Sequence, residues 1–111
     1  MEHHDAVIDN LIQELRRGSL VLFVLSQMNK KQYGYSLLQD LNSKGLSLEP
    51  GTLYPLMRRL EKQGLLESEW DLEGGRPRKY YILSEAGSRT FDRMKEEWQQ
   101  LAKQMETALD A

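Results

Sequence analysis

From Asp5 to Arg17, Val7, Ile8, Leu11, Ile12 and Leu15 recur at three- and four-residue steps. A helix of 3.6 residues per turn gathers such positions into one stripe. The run Leu20 to Leu25 is continuously apolar and would suit a buried strand equally well. It is read as helix because Ser19 can cap it and no hairpin turn flanks it, with Gly18 breaking or bending the junction. A second helix is expected from Tyr33 to Lys44, with Tyr33, Leu37, Leu38 and Leu41 on one face and Gly45 as its stop. A third runs from Pro50 to Gln63, since proline suits the first helical position and Gly64 supplies the exit. Its inward stripe is Leu53, Leu56, Met57 and Leu60. Pro55 removes a backbone donor close to the helix start, where the first amides lack helical partners anyway, so a tightened turn is expected there.

The pattern then changes. Leu65 to Leu72 and Arg78 to Leu83 are short stretches rich in apolar and aromatic residues, separated by the turn cluster Glu73-Gly74-Gly75-Arg76-Pro77. They read as a β-hairpin. Of Tyr80 and Tyr81 one should pack inward, because successive strand residues face opposite sides. Ser84 can cap a final helix reaching about Leu109, with Glu85 in its first turn. The order helix, helix, helix, strand, strand, helix is an α+β arrangement.

At 111 residues, one domain is expected rather than two independent cores. Hydrophobic residues at 40% and charged residues at 29% describe an ordinary soluble protein. The absence of cysteine excludes a disulfide framework and a thiolate zinc site. The longest apolar run is too short to span a bilayer, and no basic stretch leads into an apolar segment at the N-terminus, so a cytoplasmic protein is expected. The formal net charge of −2 counts against indiscriminate polyanion binding. It leaves room for a local basic face, because binding responds to charge placed within a Debye length of ~8–10 Å.

The third helix has the residues for such a face. Opposite its inward stripe lie Gly51, Pro55, Arg58 and Lys62, with Tyr54 and Arg59 on the flanks and Thr52 in the first turn. Free amides in that turn can meet a phosphate. A solvated face is an equally good account of this helix taken alone. The hairpin tips the balance, because Arg76, Arg78 and Lys79 lie at or next to its tip. A basic hairpin beside a basic helix suits a duplex, the helix in the major groove and the hairpin on the backbone or in the minor groove. Glu67, Glu69, Asp71 and Glu73 are then counterweights on the hairpin shaft.

Residues Gly18 to Gly87 resemble the winged helix-turn-helix domain of the PadR-like transcriptional regulators. The resemblance rests on Tyr33-Gly34-Tyr35, on Pro50-Gly-Thr-Leu-Tyr-Pro55 running into Arg59-Leu60-Glu61 and Gly64-Leu65, on Gly74 through Tyr81, and on Leu83-Ser84-Glu85-Ala86-Gly87. The short C-terminal region is similar to the compact subclass with a single terminal helix. What the resemblance implies is a DNA-facing surface including Tyr33, Gly34, Thr52, Tyr54 and Arg58, with basic contacts from the wing. Tyr33, Tyr35, Tyr80 and Tyr81 also have a plain reading as amphipathic core residues.

Along the last helix, Phe91, Met94, Trp98, Leu101, Met105 and Ala108 are spaced three, four, three, four and three apart, a heptad seam. A helix projecting past a small winged core has no intrachain cover for this stripe, so a homodimer is expected, with Ile8, Leu11, Ile12 and Leu15 completing the interface. Two-fold pairing would offer two recognition helices to successive major grooves roughly 34 Å apart, hence a pseudo-palindromic operator. Some compact members place a tryptophan near the dimer centre, where flat aromatic compounds stack. Met94, Trp98 and Met105 are candidates for such an effector site, against the more economical reading of Trp98 as an interface anchor.

No phosphate loop, nucleophile elbow or His-Glu-x-x-His motif occurs, and His3 and His4 have no plausible third ligand nearby. No enzyme, cofactor or metal site is expected. The reading is a homodimeric DNA-binding regulator, most simply a repressor, with residues 1–83 as the winged helix-turn-helix part including the N-terminal helix, and 84–111 as the long dimerisation helix. A winged module that binds only protein, or a primarily small-molecule-binding protein, are the competing classes. Salt-insensitive partner binding would mark the first, and ligand binding indifferent to wing mutations the second.

Overall fold

The computed structural model describes residues 2–110, with side chains from residue 5 onward, so the side chains of His3 and His4 lie outside the described residues. The elements in chain order are α1 (Glu2–Ser26), β1 (Gln32–Tyr33), α2 (Gly34–Ser43), α3 (Pro50–Lys62), β2 (Leu66–Asp71), a 3-10 turn (Glu73–Gly75), β3 (Arg78–Leu83) and α4 (Glu85–Leu109). The strands form one antiparallel sheet in the order β1-β3-β2. This is the α+β winged helix-turn-helix arrangement.

The two N-terminal segments are one helix. Gly18 does not break it, and Ser19 does not cap a second helix but donates its hydroxyl to the Arg16 carbonyl at 2.9 Å. A glycine inside a helix costs about 1 kcal/mol. Burying a Val or Leu side chain is worth about 1.5–3 kcal/mol, and Val24 and Leu25, one to two turns later, are fully buried. Continuing the helix into the core therefore outweighs the glycine. The expected boundaries elsewhere differ by a residue or two, and the third helix begins as anticipated. The Thr52 and Leu53 amides both reach the Glu49 carbonyl, at 3.0 and 3.1 Å, which tightens the first turn ahead of Pro55.

β1 has no counterpart in the periodicity, since two residues carry no period. It exists because β3 offers it an edge, pairing Gln32 with Tyr81 and Tyr33 with Tyr80. Gln32 is buried but fully engaged: its amide donates to the Gln27 carbonyl at 3.1 Å and to Asp40 at 2.8 Å, and it accepts from Ser36 at 2.7 Å. Such satisfaction removes the penalty of a buried polar group.

The core is formed by Val24, Leu25 and Met28 of α1 and its exit, Leu37, Leu38 and Leu41 of α2, the stripe Leu53, Leu56, Met57 and Leu60 of α3, and Leu66 and Tyr81 of the sheet. Tyr81 is thus the inward member of the tyrosine pair. α4 is anchored at its start. The Ser84 hydroxyl accepts from the Gly87 amide at 2.9 Å and donates to the Gly64 carbonyl at 2.6 Å. A Cβ added at Gly87 would lie 2.0 Å from the Leu65 carbonyl oxygen, so only glycine permits this approach.

Candidate nucleic-acid interface

α3 turns its apolar stripe inward and leaves Gly51, Thr52, Pro55, Arg58, Arg59 and Lys62 exposed. Its first turn presents the Thr52 hydroxyl rather than the Thr52 amide, because that amide is bonded to Glu49. Tyr54 is half-buried on the flank. A Cβ at Gly34 would meet its ring at 2.9 Å, so Tyr54 lies directly on the first turn of α2. Gly34 therefore acts through space rather than through a side chain. It lets the two helices of the helix-turn-helix close at their N-terminal ends.

Tyr33 caps α2, where its amide donates to the Ser36 hydroxyl at 3.0 Å. Its own hydroxyl donates to Asp71 at 2.5 Å. The Arg78 guanidinium lies over its ring at 4.3 Å, and the Tyr80 ring meets it edge-on with centroids 6.2 Å apart. Tyr80 donates to Glu69 at 2.7 Å, and the Lys31 ammonium sits 4.6 Å from the Tyr80 ring centroid. Lys31 was missed in the reading of the chain. The pair Lys30-Lys31 just before Tyr33-Gly34-Tyr35 was the available signal.

Beyond the last strand pair, Asp71 with Arg78, the hairpin closes through residues 72–77. Gly74 and Gly75 both have φ near +80°, at 80° and 81°, a conformation that disfavours side chains with a Cβ. Arg76 is exposed in this loop. The three wing cations consequently occupy three environments. Arg76 is at the tip, Arg78 stacks on Tyr33, and Lys79 is turned to the opposite face of β3, where its ammonium meets Glu61 of α3 at 3.1 Å. Strand alternation, which separated Tyr80 from Tyr81, separates Arg78 from Lys79 for the same reason.

Two carboxylates organise these contacts. The Tyr33 hydroxyl, helped by the Glu73 amide at 3.0 Å, holds the Asp71 carboxyl below the usual carboxylate range, and the phenol of Tyr33 is raised in return. Hydrogen bonds from the Ser68 hydroxyl and from Lys79 lower the Glu61 carboxyl, while Glu61 raises Lys79. Glu69 likewise raises Tyr80. Of the acidic residues of the shaft, Asp71 and Glu69 are engaged by the tyrosine hydroxyls of Tyr33 and Tyr80, while Glu67 and Glu73 are exposed.

At the other end of the molecule, α1 and α4 pack together and extend beyond the winged core. Phe91 and Met94, expected in the dimer seam, are half-buried against this chain's own core. The rest of the seam is bare: Trp98, Leu101 and Met105 are exposed, as are Ile8, Leu11, Ile12 and, at 76%, Leu15. Ala108 is exposed too. Trp98 borders two adjoining grooves between the helices, one of about 510 Å³ with Leu22, Phe23 and Phe91, the other of about 630 Å³ with Leu15, Met94 and Leu101. Met105 lines neither. Among the described residues, no group of three or more His, Asp or Glu side chains could hold a metal ion, and no helix is long and apolar enough to cross a membrane.

The sequence profile of the transcriptional regulator PadR-like family matches residues 21–93. A transcriptional regulator of Mycobacterium tuberculosis is 33% identical over 95 residues, covering 85% of this chain and 89% of that protein. Among solved structures, the fold is similar to a PadR family transcriptional regulator from Eggerthella lenta, with a TM-score of 0.87 at 44% identity over 98% of this chain and 97% of the other. A PadR-like transcriptional regulator from Bacillus cereus gives a TM-score of 0.80 at 27% identity, over 88% and 98% of the two chains.

Proposed function

The chain belongs to the PadR-like family of transcriptional regulators, a family of regulators rather than enzymes, and from that premise we propose that it is a homodimeric, cytoplasmic transcriptional repressor that binds DNA sequence-specifically. One observation carries the reading. α3 leaves Thr52, Arg58 and Lys62 exposed, while Tyr54 on Gly34 seats the same helix against α2 and Glu61 on Lys79 attaches it to the hairpin that bears Arg76 and Arg78. The outer side of α3 enters the major groove, with Gly51 and Thr52 at its leading turn and Tyr54 and Arg58 at base edges. Arg59, Lys62, Arg76 and Arg78 neutralise phosphates, whereas Lys79, expected to do the same, is paired with Glu61, and Tyr33 and Gly34 shape the surface between helix and wing.

Dimerisation is supported by the bare apolar stripe of Ile8, Leu11, Ile12, Leu15, Trp98, Leu101, Met105 and Ala108, which a second copy would cover. Residues 1–83 carry DNA binding and include the N-terminal helix whose stripe completes the interface, and 84–111 form the dimerisation helix. The division is one of roles, since the first turns of α4 complete the winged core. The grooves beside Trp98 favour a secondary role in which a small aromatic effector rests against Trp98 and Met94, with Met105 closing the site from the dimer seam.

The test is binding to an operator, found by footprinting upstream of the protein's own gene, compared with random-sequence duplex. Arg76→Ala is expected to weaken both by similar factors and to lower the slope of log K against log salt by about one unit. Arg58→Ala is expected to cost about 1–3 kcal/mol on the operator and much less on random DNA. Equal losses on the two duplexes would remove Arg58 as a base reader. No duplex binding at low salt would overturn the DNA-binding reading.

A further inference from the structure

The wing and the helix packed against it carry acids, Asp71 of β2 and Glu61 of α3, where a DNA-binding surface would be thought to want none. Simple charge counting makes Asp71 and Glu61 liabilities, because each places a negative charge within reach of the duplex backbone. Their contacts give them a different effect. A two-stranded hairpin is marginally stable on its own, and residues 72–77 extend past the last strand pair. What fixes its direction must come from its two faces.

Each face has one pin. On one, Asp71 of β2 accepts from the Tyr33 hydroxyl at the start of α2, and the Tyr33 ring in turn carries Arg78 of β3. On the other, Glu61 of α3 accepts from Ser68 of β2 and from Lys79 of β3, bridging both strands to the recognition helix. The wing is thereby attached to both helices of the helix-turn-helix. Ordering a flexible segment on binding costs affinity, and contacts already made in the free protein remove that cost.

We propose that Asp71 and Glu61 are positioning residues that raise DNA affinity, against the sign of their own charge, by holding the wing at a fixed angle to α3. Asp71 acts through Tyr33 and Arg78, and Glu61 through Lys79 and Ser68. The proposal rests on the DNA-binding reading above.

The test uses the full-length protein and a fluorescent random-sequence duplex at fixed low salt, with thermal melts showing each variant folded. Asp71→Asn and Glu61→Gln each remove one negative charge and are expected to weaken binding by about three- to tenfold, the scale of one net hydrogen bond. Tyr33→Phe, which changes no charge, should lose about as much as Asp71→Asn, and keeps the test decisive if the Asn variant does not fold. In an Arg76→Ala background the Asp71→Asn effect should shrink to within about twofold, because a wing without its tip cation gains less from being aimed. Tighter binding by Asp71→Asn, parent affinity in Tyr33→Phe, or an undiminished loss in the Arg76→Ala background would each overturn the proposal. A parent protein that binds no duplex would overturn the DNA-binding reading, and this proposal with it.

Discussion

The winged core and the α1–α4 arm are made from similar material and end in opposite states. In the core, the helical stripes of α2 and α3 meet each other, the sheet and the end of α1, and Leu37, Leu41, Leu53, Met57 and Leu60 are essentially inaccessible to water. In the arm, Leu11, Leu15, Trp98 and Leu101 recur at the same three- and four-residue steps, yet each remains more than half exposed. Periodicity states that a face must be covered. It does not state by what. Exposed stripes of this size on a small protein mark interaction surfaces, and the contrast sets a filled core at one end of the molecule against the proposed association surface at the other.

The largest expected effect tests the core end. Gly87→Ala places a Cβ against the Leu65 carbonyl. A backbone oxygen cannot rotate away as a side chain can, so a loss of about 3 kcal/mol is expected. Thermal unfolding followed by circular dichroism should show a fall of more than about 10 °C. A melt close to that of the parent would mean that α4 does not approach the core so closely.

Next in size is Leu101→Glu, directed at the arm alone. It is expected to weaken self-association by about 100-fold, ~2.7 kcal/mol, since it sets a charge in the proposed seam of both copies. Sedimentation equilibrium should show monomer, while the far-ultraviolet spectrum stays that of the parent. Loss of the winged fold as well would erase the separation between the two ends, and an unchanged mass would place the interface elsewhere.

The smallest effect sharpens what the arm is for. Planar aromatic cations are expected to quench tryptophan fluorescence saturably through Trp98, and Trp98→Phe should abolish the response although Trp70 on the wing remains. An unchanged response in Trp98→Phe would leave Trp98 as an interface anchor only.

Much of the fold was legible because its signals are local. The stripes of α2 and α3, the glycine stops, the hairpin turn and the Ser84 cap each lie within a few residues, and the structure places them as expected. The junction at Gly18 was misread because the gain that carries the helix through it comes from Val24 and Leu25 meeting the rest of the core. β1 was invisible because only pairing with β3 defines it. The candidate site was legible as a set of residue types, but not as an arrangement. Arg78 and Lys79 are neighbours in the chain and lie on opposite faces of the sheet, one on Tyr33 and the other on Glu61.

Order along the chain was enough to establish the family resemblance, the helix-turn-helix with its basic hairpin, and the apolar stripes of the first and last helices, because composition and spacing act over one or two helical turns. The folded molecule decided which cation is at the tip and which is tied down, why Gly34 leaves room for Tyr54, and which seam residues the chain keeps for itself. Those outcomes depend on side chains distant in sequence arriving within a few ångströms of one another. Asp71 and Tyr33 are 38 residues apart and share one hydrogen bond.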